Sequence, residues 1–275
     1  MRTLLVFGAS GAVGRFLLPQ LPAHFQAIPV SRQARAGWFR AGLSDTQVAW
    51  PNADAAISLG PLDAFAAWLK RLNDPTLRRV MAFSSMSAES KHDSDDAKER
   101  GIARSLKNSE ETLRGVSAER GIDLTILRPT LNYGAGIDRS LVPIAQFMRR
   151  WRLAPIPLGA TGLRQPVHVA DLAAACIAGL ENPTTYGNTY PLGGGERLSF
   201  RSMLMRMRAD ASALPIPIPL AALALLAQSR SINGAAVRRL RISLIADIDA
   251  AARDFGYAPR PFIASDVLPV TNAQT

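Results

Sequence analysis

Three glycines at fixed spacing and a short set of hydroxyl and cationic side chains are the residues in this chain that could do chemistry. Gly8, Gly11 and Gly14 follow the apolar run Leu4–Phe7 and lead into a second apolar pattern through Phe16, Leu17 and Leu18. A phosphate approaches backbone closely only where no Cβ stands in the way. The helix after such a turn directs unpaired N–H groups and its positive dipole end at the same gap. The stretch is therefore read as a dinucleotide-binding turn. The following strand, Ala27–Val30, ends in Ser31 and Arg32, with Arg35 close behind. A turn of this kind that prefers NAD carries an acidic residue about 20 positions past the glycines, which bonds the ribose 2′-hydroxyl. No Asp or Glu stands between Gly14 and Asp45. A hydroxyl and a guanidinium suit a 2′-phosphate, so NADP is the expected cofactor, with NAD as the alternative.

The elements that must hold these groups alternate strand and helix. Asp54–Gly60 reads as a buried strand, Leu62–Leu72 as an amphipathic helix over it, and Arg79–Phe83 as a further strand that delivers Ser84 and Ser85 to its carboxyl end. Carboxyl ends of parallel strands are where open α/β sheets bind ligands. The first helix is expected to end at Pro19 and Pro22. Glu89–Arg100 is expected as an exposed loop entering a helix that runs to about Arg120, followed by the strand Asp123–Leu127, with Arg128–Pro129 ending it. Beyond that the glycines and prolines multiply, as in a loop-rich lobe. It carries a helix at Ala170–Leu180, a short strand at Gly187–Leu192, and a helix capped by Ser199 that runs to about Ala209.

Composition narrows the classes. A hydrophobic content of 48% over 275 residues can bury a large core. Cys176 is the single cysteine and His24, His92 and His168 are scattered, so no disulfide within the chain and no metal site are expected. The chain starts on its first strand, which implies no signal peptide and a cytoplasmic protein. Leu214–Ala227 is apolar, but Pro215, Pro217 and Pro219 break it and the rest is too short to span a bilayer. We read it as a strand followed by a core or interface helix, with interfacial membrane contact as the alternative and no stable insertion. The net charge of +10 is almost all arginine, dense only at Arg149–Arg152 and Arg238–Arg241, and no nucleic-acid module accompanies it. The charge instead suits a diphosphate-containing cofactor and a phosphorylated small-molecule substrate.

Five motifs in order resemble the extended and atypical short-chain dehydrogenase/reductases, in particular the NAD(P)-dependent epimerase/dehydratase branch that works on nucleotide sugars. They are Gly8-x-x-Gly11-x-x-Gly14, Phe83–Ser87, Leu127–Gly134, Arg164–Leu172 and Asp254–Pro259. The resemblance implies an α/β fold with a doubly wound parallel Rossmann sheet and a smaller C-terminal substrate lobe. The expected division is residues 1–160, with later segments returning to that domain, and residues 161–275. It further implies that Gly8, Ser10, Gly11, Ala12, Val13, Gly14, Ser31, Arg32, Leu59, Gly60, Lys107 and Pro129 hold the cofactor, and that Ser85, Asn132 and Arg164 meet the substrate. A nucleotide sugar is the candidate substrate and a homodimer the candidate assembly.

The family's chemistry uses a Ser or Thr with a Tyr and a Lys four residues apart on one helix face, where the ammonium group lowers the phenol's pKa. Ser85 takes the hydroxyl position, with Ser84 or Ser87 as the shifted alternatives, and Lys107 takes the lysine position. The tyrosine position is Ala103, and no tyrosine precedes Tyr133. Three readings follow. Tyr133 serves as a replacement; Lys107 holds the ribose while another group or a water moves the proton; or the protein binds NADP(H) without turnover, as a sensor or a structural subunit. His168 and Asp171 are read as structural, with Asp171 at the favourable end of a helix.

Overall fold

The computed structural model describes residues 1–138, 140–228 and 234–268. The chain forms two compact units: Met1–Pro129, Ala170–Leu192 and Asp247–Ala258 make the first, and Thr130–Val169, Gly193–Ala246 and Pro259–Thr275 the second. The first crossing thus comes after Pro129, where the sequence suggests a boundary near residue 160.

In chain order the first unit opens with β1 (Arg2–Phe7), α1 (Ala12–Leu17), β2 (Phe25–Ser31), β3 (Phe39–Arg40), β4 (Ala55–Ser58) and α2 (Leu62–Arg71). It continues with β5 (Arg79–Phe83), α3 (Ser87–Ser90), α4 (Ala97–Arg120) and β6 (Asp123–Pro129). The second unit then contributes β7 (Asn132–Tyr133), α5 (Val142–Trp151), β8 (Leu153–Leu158), β9 (Leu163–Arg164) and β10 (Val167–His168). After α6 (Val169–Leu180) and β11 (Thr189–Leu192) come β12 (Leu198–Ser199), α7 (Phe200–Asp210), β13 (Leu214–Pro219), α8 (Leu220–Gln228), α9 (Gly234–Arg239) and finally α10 (Asp249–Phe255).

Seven strands of the first unit form one parallel sheet in the order β11-β6-β5-β4-β1-β2-β3. The doubly wound fold expected from the sequence is therefore present. Residues of β4 and β5 are buried throughout, as a strand covered on both faces requires. The order reverses between β1 and β4, and in open α/β sheets that switch point is where ligands bind. Under the sheet an aromatic cluster joins Phe7, Phe65 and Trp68, with the Trp68 ring 5.2 Å from Phe65.

A buried cation the sequence reading passed over pins the other half of the sheet. Arg79, at the start of β5, donates to the Gly179 and Leu180 carbonyls at the end of α6, to Thr125 and Thr185 hydroxyls, and to the Asp123 carbonyl on β6. Its guanidinium also lies 4.5 Å over the Tyr186 ring. Burial lowers its pKa to about 10, still well above neutrality, so the charge persists and is solvated by carbonyls instead of water.

Two local expectations are corrected. Pro19 does not stop the first helix outright, because α1 ends at Leu17 and Pro19 sits inside a following 3₁₀ turn, Leu18–Gln20, whose first positions need no N–H donor. The segment Glu89–Arg100 is not wholly an exposed loop. It contains the end of α3, and Glu99 is buried with a hydrogen bond from Ser94 Oγ at 2.8 Å. Asp96 caps α4 by accepting from the Lys98 and Glu99 N–H groups, and Gly121 closes it at φ +62°.

The second unit packs Met148, Ile156, Met203, Leu204 and Met207 into its own core. Ser199 caps α7, its Oγ accepting from the Ser202 N–H, as the sequence predicts. Leu214–Ala227 forms a strand and a helix, β13 and α8, as expected. Of the two placements left open for the helix the exposure favours an interface over the core, since β13 is exposed along most of its length and Leu225 on α8 is 67% exposed. No described helix is long and apolar enough to cross a membrane.

Candidate functional site

Each glycine of the opening turn answers to a specific contact. Gly8 has φ +75°, and a Cβ there would lie 2.9 Å from the carbonyl carbon of Leu59, on the loop after β4. A Cβ on Gly14 would fall 2.3 Å from the Ala9 carbonyl oxygen, so α1 can sit this close to the turn only without one. The Gly11 N–H donates to the Gly8 carbonyl at 2.9 Å, and no side chain caps the start of α1. The first-turn amides are left to be satisfied from the open side.

Beside the turn, at the switch point, lies a cavity of about 680 Å³. Gly8, Ser10, Ser31, Arg32 and Gly60 line it, five of the residues expected at the cofactor. Gln33, Arg35, Leu43 and Ser44 also line it, and of these the sequence points only to Arg35. No carboxylate lines the cavity among the described residues. Arg32 is exposed, Ser31 Oγ accepts from the Gln33 N–H at 3.1 Å, and Arg35 rests over Trp38. Leu59 borders the turn, Val13 and Gly14 are buried behind it, and Pro129 and Lys107 lie outside this cavity. The residues present fit a dinucleotide: glycines that allow close backbone approach, a helix start without a side-chain cap, and arginines on the cavity rim.

At the end of β5 the two serines diverge. Ser84 is buried and donates from Oγ to Glu110 Oε1 at 2.5 Å. Ser85 Oγ accepts from the Ser87 N–H at 3.1 Å, which leaves its own O–H to donate to a ligand. Glu110 is fully buried on α4 and is gripped by Arg128 in a two-pronged contact, one prong 2.8 Å long, while Arg128 also bonds Glu89. Burial alone would raise the Glu110 carboxyl, but hydrogen bonds from Arg128 and Ser84 and the nearby charges hold it below its ordinary value. On the same helix Ala103 is 1% exposed, and Lys107, one turn on, is half-buried with no ion pair among the described residues.

The remaining expected residues belong to the second unit. Tyr133 is buried, its hydroxyl donating to the Pro261 carbonyl and accepting from the Ile263 N–H at 3.1 Å, with its ring edge-on to His168 and Phe262. Both hydrogen-bonding directions are satisfied by backbone, so its geometry is that of a packing residue and departs from the replacement role considered for it. Arg164 is also buried. It donates to the carbonyls of Leu163, Arg239 and Ile242 and lies over Phe200, so its fork is engaged within the unit instead of presented to a diphosphate. Burial lowers its pKa. Asn132 differs, since its Oδ1 is buried and has no hydrogen-bond partner among the described residues. His168 stands 3.8 Å from Asp266.

A seven-stranded parallel sheet with a glycine turn at its switch point defines an α/β protein of the dinucleotide-binding kind. Residues 84–193 match the NAD dependent epimerase/dehydratase family, so the resemblance seen in the motifs is borne out. Among solved structures the chain is similar over 96% of its length to MoeE5 in complex with UDP-glucose and NAD, at 17% identity, 96% coverage of that chain and TM-score 0.75. It is similar over 96% to the UDP-glucuronic acid 4-epimerase of Bacillus cereus in complex with NAD, at 16% identity, 95% coverage and TM-score 0.72. It is similar over 97% to RMD from Pseudomonas aeruginosa complexed with NADPH, at 16% identity, 97% coverage and TM-score 0.70. At such identities the likeness is one of fold. A curated relative, the mitochondrial NADH dehydrogenase [ubiquinone] 1 alpha subcomplex subunit 9 of Arabidopsis thaliana, is 40% identical over 73 residues, 26% of this chain and only 18% of the relative.

Proposed function

We propose that this protein binds NADP(H) at the cavity above Gly8 and is an oxidoreductase or epimerase/dehydratase for a nucleotide sugar or a similar phosphorylated metabolite. The single observation that carries the proposal is the carboxylate-free cavity lined by Gly8, Ser10, Ser31 and Arg32 at the switch point of the sheet. The MoeE5 structure in complex with NAD and the RMD structure complexed with NADPH support a nicotinamide dinucleotide, and Arg32 supports the 2′-phosphate form. Bound there, the nicotinamide would supply a hydride acceptor or donor. Arg32 and Ser31 would hold the 2′-phosphate, and the first amides of α1 the diphosphate. Ser85 would donate its O–H to the substrate oxygen whose proton moves, and Lys107 would hold a ribose hydroxyl. A cytoplasmic location and a homodimer belong to the same proposal.

Ala103 supports a second reading. General acid–base catalysis contributes about 10²- to 10⁴-fold, and an alanine has no proton to move. The curated relative is by name a subunit of a larger enzyme, which fits a chain whose dinucleotide serves structure or sensing. Titration with NADPH and NADH by fluorescence, then a panel of nucleotide sugars followed by cofactor redox state and sugar product, separates the two. Binding with turnover supports catalysis, binding without turnover supports the sensor or subunit, and absence of binding for both cofactors overturns both.

A further inference from the structure

The whole net charge lies in one unit. The first unit carries eighteen Lys and Arg against eighteen Asp and Glu, whereas the second carries fourteen Arg against four carboxylates, a net of +10. Of those four, Glu196 pairs with Arg206, Asp210 with Arg149, and Asp266 faces His168. From Ala211 to Ala246 the chain has no acidic residue at all.

Within that stretch the second unit leaves an apolar surface uncovered. Leu214 on β13 is 68% exposed, Leu225 on α8 is 67% exposed, and Ile216 and Leu158 are exposed as well. The surface has arginines at both ends. At one, the Leu214 N–H donates to the Arg152 carbonyl at 2.8 Å, which sets exposed Arg150 and the 58% exposed Trp151 beside it. At the other, α9 lies beside α8 and carries exposed Arg238, with exposed Arg241 in the turn just past its end, and neither has a carboxylate partner among the described residues.

We propose that this face docks the protein on an anionic lipid surface. Leu214, Ile216 and Leu225 enter the headgroup boundary, and Arg150, Arg238 and Arg241 bind lipid phosphates. The geometry disfavours other occupants. Leu214 faces its partner strand β8, so Pro215, Pro217 and Pro219 fall on the outer edge of β13, which has no N–H to offer a further strand. A nucleic acid would engage the arginines and leave the aliphatic side chains in water. Nor does the stretch cross the bilayer, since α8 is nine residues long.

The test mixes the full chain with vesicles of phosphatidylcholine alone and of phosphatidylcholine containing about one third phosphatidylglycerol. The expected result is sedimentation with the anionic vesicles only, weakened by about tenfold or more at high salt. Leu214→Glu with Leu225→Glu lowers binding about tenfold, and Arg238→Gln or Arg241→Gln about fivefold each, with thermal midpoints unchanged because all four side chains are exposed. The proposal is overturned by no binding to anionic vesicles at low salt, by equal binding to both vesicles, or by a double glutamate variant that binds as tightly as the unaltered chain. Binding of a single-stranded oligonucleotide without vesicle binding overturns it in favour of nucleic acid. Loss of self-association in Leu225→Glu without vesicle binding overturns it in favour of a contact between copies.

Discussion

The two units solve opposite problems with the same residue type. In the first, arginines are compensated: Arg79 is wrapped in carbonyls and hydroxyls, Arg128 is clasped by Glu110 and Glu89, and positive and negative side chains balance. In the second, Arg150, Arg238 and Arg241 stand exposed beside uncovered leucines, and nothing in the unit neutralises its excess. Compensation holds a sheet together and fixes what reaches its carboxyl edge. An uncompensated, partly apolar surface is a recognition surface.

Four substitutions probe that contrast. Arg79→Met should have the largest effect, a loss of about 4 kcal/mol in denaturant unfolding, because it strips the Gly179 and Leu180 carbonyls and two threonine hydroxyls of their donor. Glu110→Gln should cost about 3 kcal/mol at neutral pH by leaving half-buried Arg128 with Glu89 alone. The pH dependence follows in sign: a carboxyl held below its ordinary value stabilises above the unfolded pKa of about 4.3 and loses that contribution as pH falls through the folded value. The unaltered protein should therefore lose stability on acidification more steeply than Glu110→Gln, and parallel curves would remove Glu110 from the account. Arg32→Asp should leave folding intact and shift preference toward NADH by about tenfold, read by competitive titration. Smallest of all, Leu225→Glu should change stability by no more than about 0.5 kcal/mol, since that side chain contributes little to the core. A large loss there would mean that the second unit's face is needed for folding and the contrast is wrong.

Much of this architecture was legible in the chain. Leu4–Phe7 and Val80–Phe83 read as strands because a strand covered on both faces needs an unbroken apolar run, and the glycine spacing carries its own steric reason. Other features were hidden for equally physical reasons. Arg79 looks like the polar start of a strand until the end of α6, a hundred residues later, brings it carbonyls. Arg164 matches a substrate position by motif and Tyr133 is only a candidate replacement for the missing phenol, but whether a hydroxyl or guanidinium faces a ligand or a neighbouring carbonyl is decided by partners such as Pro261 and Ile242, far along the chain. The same holds for Ser84 against Ser85, which only Glu110 distinguishes. The apolar run Leu214–Ala227 leaves core and interface open by composition, and only the pairing of β13 with β8 alone, its alternating prolines on the outer edge, shows an exposed strand.

The central claim is that the acid-free switch-point cavity takes NADP(H), and a paired titration of the unaltered chain and Gly8→Ala tests it most directly. A Cβ at Gly8 would meet the Leu59 backbone in a conformation an L side chain rarely adopts. The account predicts that NADPH binds more tightly than NADH and that Gly8→Ala weakens both by about tenfold or more while the protein stays folded. Tighter binding of NADH, or equal NADPH binding by the folded Gly8→Ala variant, would contradict it.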